Sequence, residues 1–305
     1  MKTIKRFLLF TFLDFLGYIF LTMPHFLRFG FAKKVASLLC FLDKRHKKKL
    51  LTNLEFAYNG TLPSEQIQEI LYTNYLNLVY NTMSFFMLSV SNKEQILNFV
   101  EFQNPQIIQD LLQKGENFIF VTAHFGNWEY TTPAFTCYFN TPITAVARMT
   151  HRPLVDEYLL KVRSKFQVRI IDKHKATLPL VKTLKKGKIV GIVTDQNTSQ
   201  KEGILVDFFG KKVCQTPIAS YLSLKLGIKI IPVSTHYTPD YSKCIITCLE
   251  PIQYTNTQDF EGDIQALTQI QSDILEKIIR ENPKEWLWFH KKFKNQYPQI
   301  YEENQ

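Results

Sequence analysis

A histidine followed five residues later by a carboxylate is a spacing that general-base chemistry can use. The run VTAHFGNWEY at residues 121–130 supplies it in His124 and Glu129. On one continuous helix that offset turns through about 140°, which places the two side chains on different faces. They meet only if His124 lies in a turn after a strand and Glu129 in the first turn of the next helix, with Gly126 between them. A carboxylate so placed holds an imidazole in the tautomer that accepts a proton. With an ordinary pKa of about 6.5 the ring is largely neutral near pH 7. Such a base contributes roughly a hundred- to ten-thousandfold in rate. A histidine and an acid that merely satisfy each other near a helix end produce the same string, so its neighbours decide what it is worth.

A second apolar run, KIVGIVT at residues 188–194, ends in the polar pair Asp195 and Gln196. If both runs are strands of one parallel sheet, the pair falls on the same edge as His124, the edge where such sheets bind ligands. Asp is also common in solvated turns after strands. Arg148 and Arg163 read by residue type as surface arginines; alternatively, a planar guanidinium binds a phosphate or supports an oxyanion. FFGKK at residues 208–212 and Thr216 with Pro217 fit either a pocket wall or a turn followed by a helix cap. With no G-x-S-x-G elbow and no cysteine beside His124, a covalent acyl-enzyme is not expected.

The elements that must position these groups follow from the pattern around them. Residues 64–88 carry Ile67, Ile70, Leu71, Tyr75, Leu78, Val79 and Phe86 at helical spacing after Pro63 and Ser64, which predicts a packed helix. Residues 117–122, 188–194, 229–233 and 243–248 are short β-rich runs separated by helical stretches. The alternation predicts an α/β fold, a mixed and largely parallel sheet flanked by helices. No linker or repeat divides the chain. Near the end, Trp286, Trp288, His290, Lys291, Lys292 and Lys294 mix aromatic and basic residues as membrane interfaces do, yet WLWFH read as a strand packs both tryptophans inward.

Residues 7–23 form an apolar run with Asp14 as its only charge and are flanked by Lys2, Lys5, Arg6, Arg28, Lys33 and Lys34, with the cluster Lys44, Arg45, Lys47, Lys48 and Lys49 beyond. Seventeen residues span about 25 Å as a helix against about 30 Å of hydrocarbon, so spanning and lying in the interface both fit. A small-residue cleavage site is lacking, and the positive charge places the bulk of the chain in the cytoplasm. The expected division is a membrane anchor or interfacial helix in residues 1–30 and one domain in residues 31–305.

Of 305 residues 45% are hydrophobic, with 25 Phe and 14 Tyr, ample for one large core. The net charge of +10 favours anionic partners. No zinc-finger or RNA-binding motif accompanies it, and nucleic acid is not expected. Five cysteines, Cys40, Cys137, Cys214, Cys244 and Cys248, lack CxxC or Cys/His spacing. They read as reduced thiols rather than metal ligands, with Cys244 and Cys248 on one core face.

Taken together, AHFGNWE (123–129), VARMTHRPLVDEYLLKVRSKF (146–166), LKKGKIVGIVTDQN (184–197), FFGKKVCQTP (208–217) and EWLWFHKKFK (285–294) resemble the late acyltransferases of lipid A biosynthesis, the lauroyl and myristoyl transferases of Gram-negative bacteria. The first string fits the HxxxxD/E signature that these share with glycerol-phosphate acyltransferases. The resemblance implies His124 as base, Glu129 as its orienting acid, and Arg163 and Asp195 at positions used for activity. Arg148, Asn127 and Gln196 are the expected substrate contacts. It further implies transfer of a fatty acyl group, lauroyl by expectation, from acyl carrier protein to a hydroxyl of a lipid A precursor. No cofactor or metal is called for, and the place is the cytoplasmic face of the inner membrane, among its lipids. Another lipid acceptor, or a basic membrane-binding protein without catalysis, are the alternatives.

Overall fold

The structure, a computed structural model, describes residues 2–150 and 152–302. Its frame is a seven-stranded sheet in the order β1-β9-β8-β2-β5-β3-β4. The strands are β1 (Val100–Gln103), β2 (Phe118–Thr122), β3 (Ile143–Ala147), β4 (Val168–Asp172), β5 (Ile189–Val193), β8 (Lys229–Tyr237) and β9 (Cys244–Cys248). β8, β2, β5, β3 and β4 are parallel, β9 runs antiparallel to β8, and β1 lies parallel to β9. The predicted mixed, largely parallel α/β sheet is therefore present, and all four sequence-read runs are strands in it.

The central strands are continuous apolar runs because both their faces are covered. In β2, Phe118 and Phe120 enter one hydrophobic cluster while Ile119 and Val121 enter another on the opposite face. The first cluster is closed by α4 (Ser64–Val90), α7 (Trp128–Phe139) and the 286–293 segment; the second by α9 (Thr177–Lys185), α10 (Ile218–Leu226) and α11 (Phe260–Glu281). A separate hairpin of β6 (Ile204–Phe208) and β7 (Lys211–Gln215) turns at Phe209 and Gly210. Their φ values of +54° and +67° are those of a two-residue turn matched to strand twist. FFGKK is this hairpin's tip, and Phe208 and Phe209 point into the core.

The predicted helix at residues 64–88 is α4. Its packing on α1 (Lys2–Thr22) is unusually close, since a Cβ on Gly17 would lie 2.3 Å from the carbonyl oxygen of Phe86. Asp14, on α1, accepts hydrogen bonds from Tyr158 (3.0 Å) and Lys161 (2.5 Å) of α8 (Pro153–Arg163). No helix of the described residues is long and apolar enough to cross a membrane. The spanning alternative for residues 7–23 is thereby corrected: one face of α1 is already used on the protein, and the charge at its middle is paired there. The opposite faces of α1 and α2 (His25–Leu42) leave Phe7, Phe15, Phe26 and Phe41 exposed.

The C-terminal WLWFH string is not a strand. Trp286 makes a single bridge to Phe125, and Trp286 and Trp288 are 1% and 0% exposed. Both tryptophans pack inward, and Lys292 is buried beside the Phe208 ring, where burial pushes its pKa down to about 8. The membrane-interface reading of these three residues is corrected accordingly.

Candidate active site

The parallel register sets the site. Thr122 of β2 stands beside Val193 of β5, and the ladder continues with Thr194 donating to the Thr122 carbonyl. Two residues past each strand, His124 and Asp195 therefore arrive level with each other. The imidazole Nδ1 lies 2.8 Å from Oδ1 of Asp195, and the His124 backbone N–H donates to Oδ2 at 3.0 Å. Trp286 completes the set by donating its indole N–H to Oδ2 at 2.9 Å.

The turn carrying His124 is held from three sides. Gly126 has φ +43°, and a Cβ there would lie 2.5 Å from the carbonyl oxygen of Thr235 in β8. Its N–H donates to the Glu285 carbonyl, Leu287 donates to the His124 carbonyl, and Asn81 of α4 donates to the Gly126 carbonyl at 2.7 Å. A turn so fixed aims the imidazole without needing it to be rigid itself.

Burial disfavours a charged His124, but the Asp195 carboxylate, aided by Glu129, outweighs it and holds the imidazole pKa above its ordinary value. Burial acts on Asp195 in the opposite sense to its donors, and His124 prevails, keeping the carboxyl far below the usual range. With Nδ1 donating to a permanent carboxylate, the neutral ring carries its lone pair on Nε2. That nitrogen faces the side-chain amide of Gln196 at 3.3 Å.

Glu129 sits in the first turn of α7, as the spacing required, yet it meets Arg163 rather than His124. Arg163 Nε and Nη2 donate to its two oxygens at 3.0 and 2.6 Å, a bidentate pair at the end of α8. Burial lowers the Arg163 pKa and Glu129 more than restores it, so the guanidinium stays charged. The expectation that Glu129 orients His124 by a direct bond is replaced by Asp195, because strand register brings Asp195 alongside while the helix carries Glu129 across to α8.

His124, Glu129, Arg148, Arg163, Gln196, Thr216 and Pro217 all line one groove of about 1520 Å³. Its walls include Phe120, Ile143 and Leu180, and its rim includes exposed Arg169, Lys173, Lys182, Lys186 and Lys188. Arg148 is exposed on this lining. Asn127 is fully buried at the N-cap of α7 and is not part of the lining, so its expected substrate contact is corrected. What sequence reasoning missed is Trp286 as a donor to Asp195, and His290, whose Nε2 lies 3.2 Å from the Gln196 amide nitrogen. The signal available for both was their place in the EWLWFHKKFK string.

The arrangement can accept a proton at His124 Nε2 and release it again, beside an apolar cavity larger than a small metabolite needs. Residues 2–295 match the family model described as bacterial lipid A biosynthesis acyltransferase. The chain is 21% identical over 252 residues to the lipid A biosynthesis lauroyltransferase of Escherichia coli K12, covering 82% of this chain and 80% of that protein. It is 21% identical over 261 residues to the lipid A biosynthesis myristoyltransferase of the same organism, covering 84% and 78%. Against a lipid A biosynthesis acyltransferase of Haemophilus influenzae the identity is 19% over 279 residues, covering 90% and 85%.

Proposed function

This chain belongs to the bacterial lipid A biosynthesis acyltransferase family, and we propose that it moves a fatty acyl group, lauroyl in our reading, from the thioester of acyl carrier protein to a hydroxyl of a lipid A precursor. The observation that carries the reading is the Nε2 of His124, turned away from Asp195 toward a large groove and met there by the exposed Gln196 amide. His124 takes the acceptor's hydroxyl proton as the oxygen attacks the thioester carbonyl. The carbon–sulfur bond then breaks and the imidazolium returns the proton to the sulfur, giving an ester and the carrier thiol. Asp195 orients the base throughout. Arg163, held by Glu129, offers its cation to the groove for a phosphate of the acceptor or for the carbonyl oxygen. The exposed basic rim suits both an acidic carrier and a phosphorylated lipid.

The apolar outer faces of α1 and α2, next to the basic residues 44–49, support attachment in the plane of the cytoplasmic leaflet of the inner membrane. In this reading residues 1–30 lie on the bilayer while residues 31–305 carry the chemistry.

Mass spectrometry of lipid A from cells with and without the protein tests the function. One secondary acyl chain is expected to disappear, its mass giving the chain length, and to return with the wild-type chain but not with His124→Ala. An unchanged lipid A, together with no transfer by purified protein from an acyl-carrier thioester, overturns the reading.

A further inference from the structure

We propose that His290 is a second imidazole of the hydroxyl site, and that the Gln196 amide nitrogen marks the place of the acceptor oxygen between Nε2 of His124 and Nε2 of His290. The proposal rests on the acyl-transfer reading and adds a substrate-contacting group to it. The amide nitrogen is 3.3 Å from one imidazole nitrogen and 3.2 Å from the other, and the two rings stand 5.1 Å apart. Two nitrogens thus converge on a single point with a polar hydrogen-bonding group in it. Gln196 is an exposed residue lining the groove, so the group that covers the base is one that can move aside.

The two imidazoles differ in what lies behind them. His124 has its Nδ1 tied to Asp195 and must present a lone pair. Among the described residues no hydrogen bond is made to Nδ1 of His290, so this ring can place its proton on Nε2 when an oxygen arrives. A hydroxyl then donates its one hydrogen to His124 and accepts from His290, which uses its donor and one lone pair and leaves another lone pair for the carbonyl carbon. As the proton passes to His124, the His290 N–H stays on the oxygen and offsets its growing charge; no proton moves at His290.

The main chain at His290 is built to hold this position. Asn53, fully buried, donates to the carbonyls of Trp288 and His290, both at 2.6 Å, and Lys292 N–H donates to the His290 carbonyl at 2.8 Å. Charge keeps the two rings distinct. Burial first, then the positive charges of His124, Lys292 and Lys49, hold the His290 pKa below its ordinary value against the pull of Asp195. The proton therefore stays on His124, and His290 remains a neutral donor.

The test uses full-length protein in detergent with an acyl-carrier thioester, following both transfer to lipid A precursor and hydrolysis by water, which must bind at the same point. His290→Ala is expected to slow both about 10- to 100-fold with an unchanged KM for the donor, because one donor to a developing charge is lost. His290→Gln, whose amide reaches the Nε2 position, should recover most of this, and His290→Asn, which reaches only the Nδ1 position, should not. The pH dependence contributed by His124 should persist in His290→Gln. Wild-type rates in His290→Ala, or equal behaviour of the Gln and Asn variants, overturn the proposal; the Gln and Asn pair decides if the Ala variant does not fold. Wild-type hydrolysis without lipid A transfer sinks the acceptor reading while the variants still judge His290. A wild-type protein that cleaves no acyl thioester sinks both.

Discussion

Asp195 and Glu129 each hold a cationic partner at the same groove, but they are held differently themselves. Among the described residues, the Asp195 side chain is 1% exposed and receives three protein donors, whereas Glu129 is 15% exposed and is hydrogen-bonded by Arg163 alone, itself 26% exposed over the Phe85 ring. A carboxylate this deeply buried and already bonded by three protein donors is out of a ligand's reach, and in the proposed reaction it acts through the tautomer and charge of His124. The Glu129–Arg163 pair borders the cavity and can exchange partners with an incoming anion. In the proposed reaction, one pair sets the protonation chemistry, and the other sets how charge on the substrate is received.

The sharpest way to break that contrast is Asp195→Asn. The amide keeps the shape but can stabilise the wrong tautomer and cannot balance an imidazolium, so turnover should fall on the order of 10³-fold or more. The working base is the unprotonated ring, so wild-type activity rises with pH through a His124 pKa held above its ordinary value. Removing the Asp195 charge should move this rise to lower pH. A pH–rate profile of residual activity measures the shift; loss of less than tenfold with an unmoved profile removes Asp195 from the role.

Glu129→Gln tests the other pair, with a smaller effect expected. It leaves Arg163 partly buried without its bidentate partner, and turnover should drop roughly 10- to 100-fold with the pH profile in place. Arg163→Lys should act similarly because an ammonium cannot replace the fork of two parallel bonds, and the double variant should cost little more than either. If Glu129→Gln instead costs as much as Asp195→Asn and shifts the profile, Glu129 becomes the orienting acid during turnover, as the five-residue spacing suggested.

That spacing shows how far the sequence carries. It required His124 in a turn and Glu129 in a first helical turn, and both are so placed. The second strand's polar pair on the same edge was equally legible, since β2 and β5 are apolar but for Thr122, and His124 and Asp195 each follow their strand by two residues. What stayed hidden was the pairing of charges. Which acid reaches the histidine depends on strand register and on the direction of α8, neither of which leaves a mark in periodicity. β1, β3, β4, β6 and β7 were also missed, being four or five residues long and, unlike β2 and β5, partly exposed in alternating or uneven patterns. Trp286 and His290 sat in a string whose aromatic and basic mixture describes a membrane edge as well as a buried clamp; only the packing of Phe125 and Asn53 against it decides.

A third carboxylate supplies the smallest and most discriminating effect on the comparison. Glu285 is buried next to the His124 turn, whose Gly126 N–H donates to its main-chain carbonyl; its side chain receives the Asn77 amide at 3.3 Å and is also favoured as an anion by the Tyr237 main chain and the charge of Lys284, with no ion pair among the described residues. Burial raises its pKa from 4.5 to about 7. A raised folded-state pKa means the fold binds the proton more tightly than the unfolded chain, so this contribution to stability is complete below about pH 4.5 and lost as pH rises through about 7. Glu285→Gln is neutral at every pH and should match wild type near pH 4 while exceeding it at pH 8 by on the order of 3 kcal/mol, read from denaturant midpoints. Turnover at pH 8 should change by no more than a few-fold, since the turn is held by backbone. If the two proteins are equally stable at pH 8, Glu285 is ionised and compensated in the fold. Two buried acids would then bear on the His124 turn, and the separation between a protonation-setting pair and a substrate-receiving pair would have to be redrawn to include it.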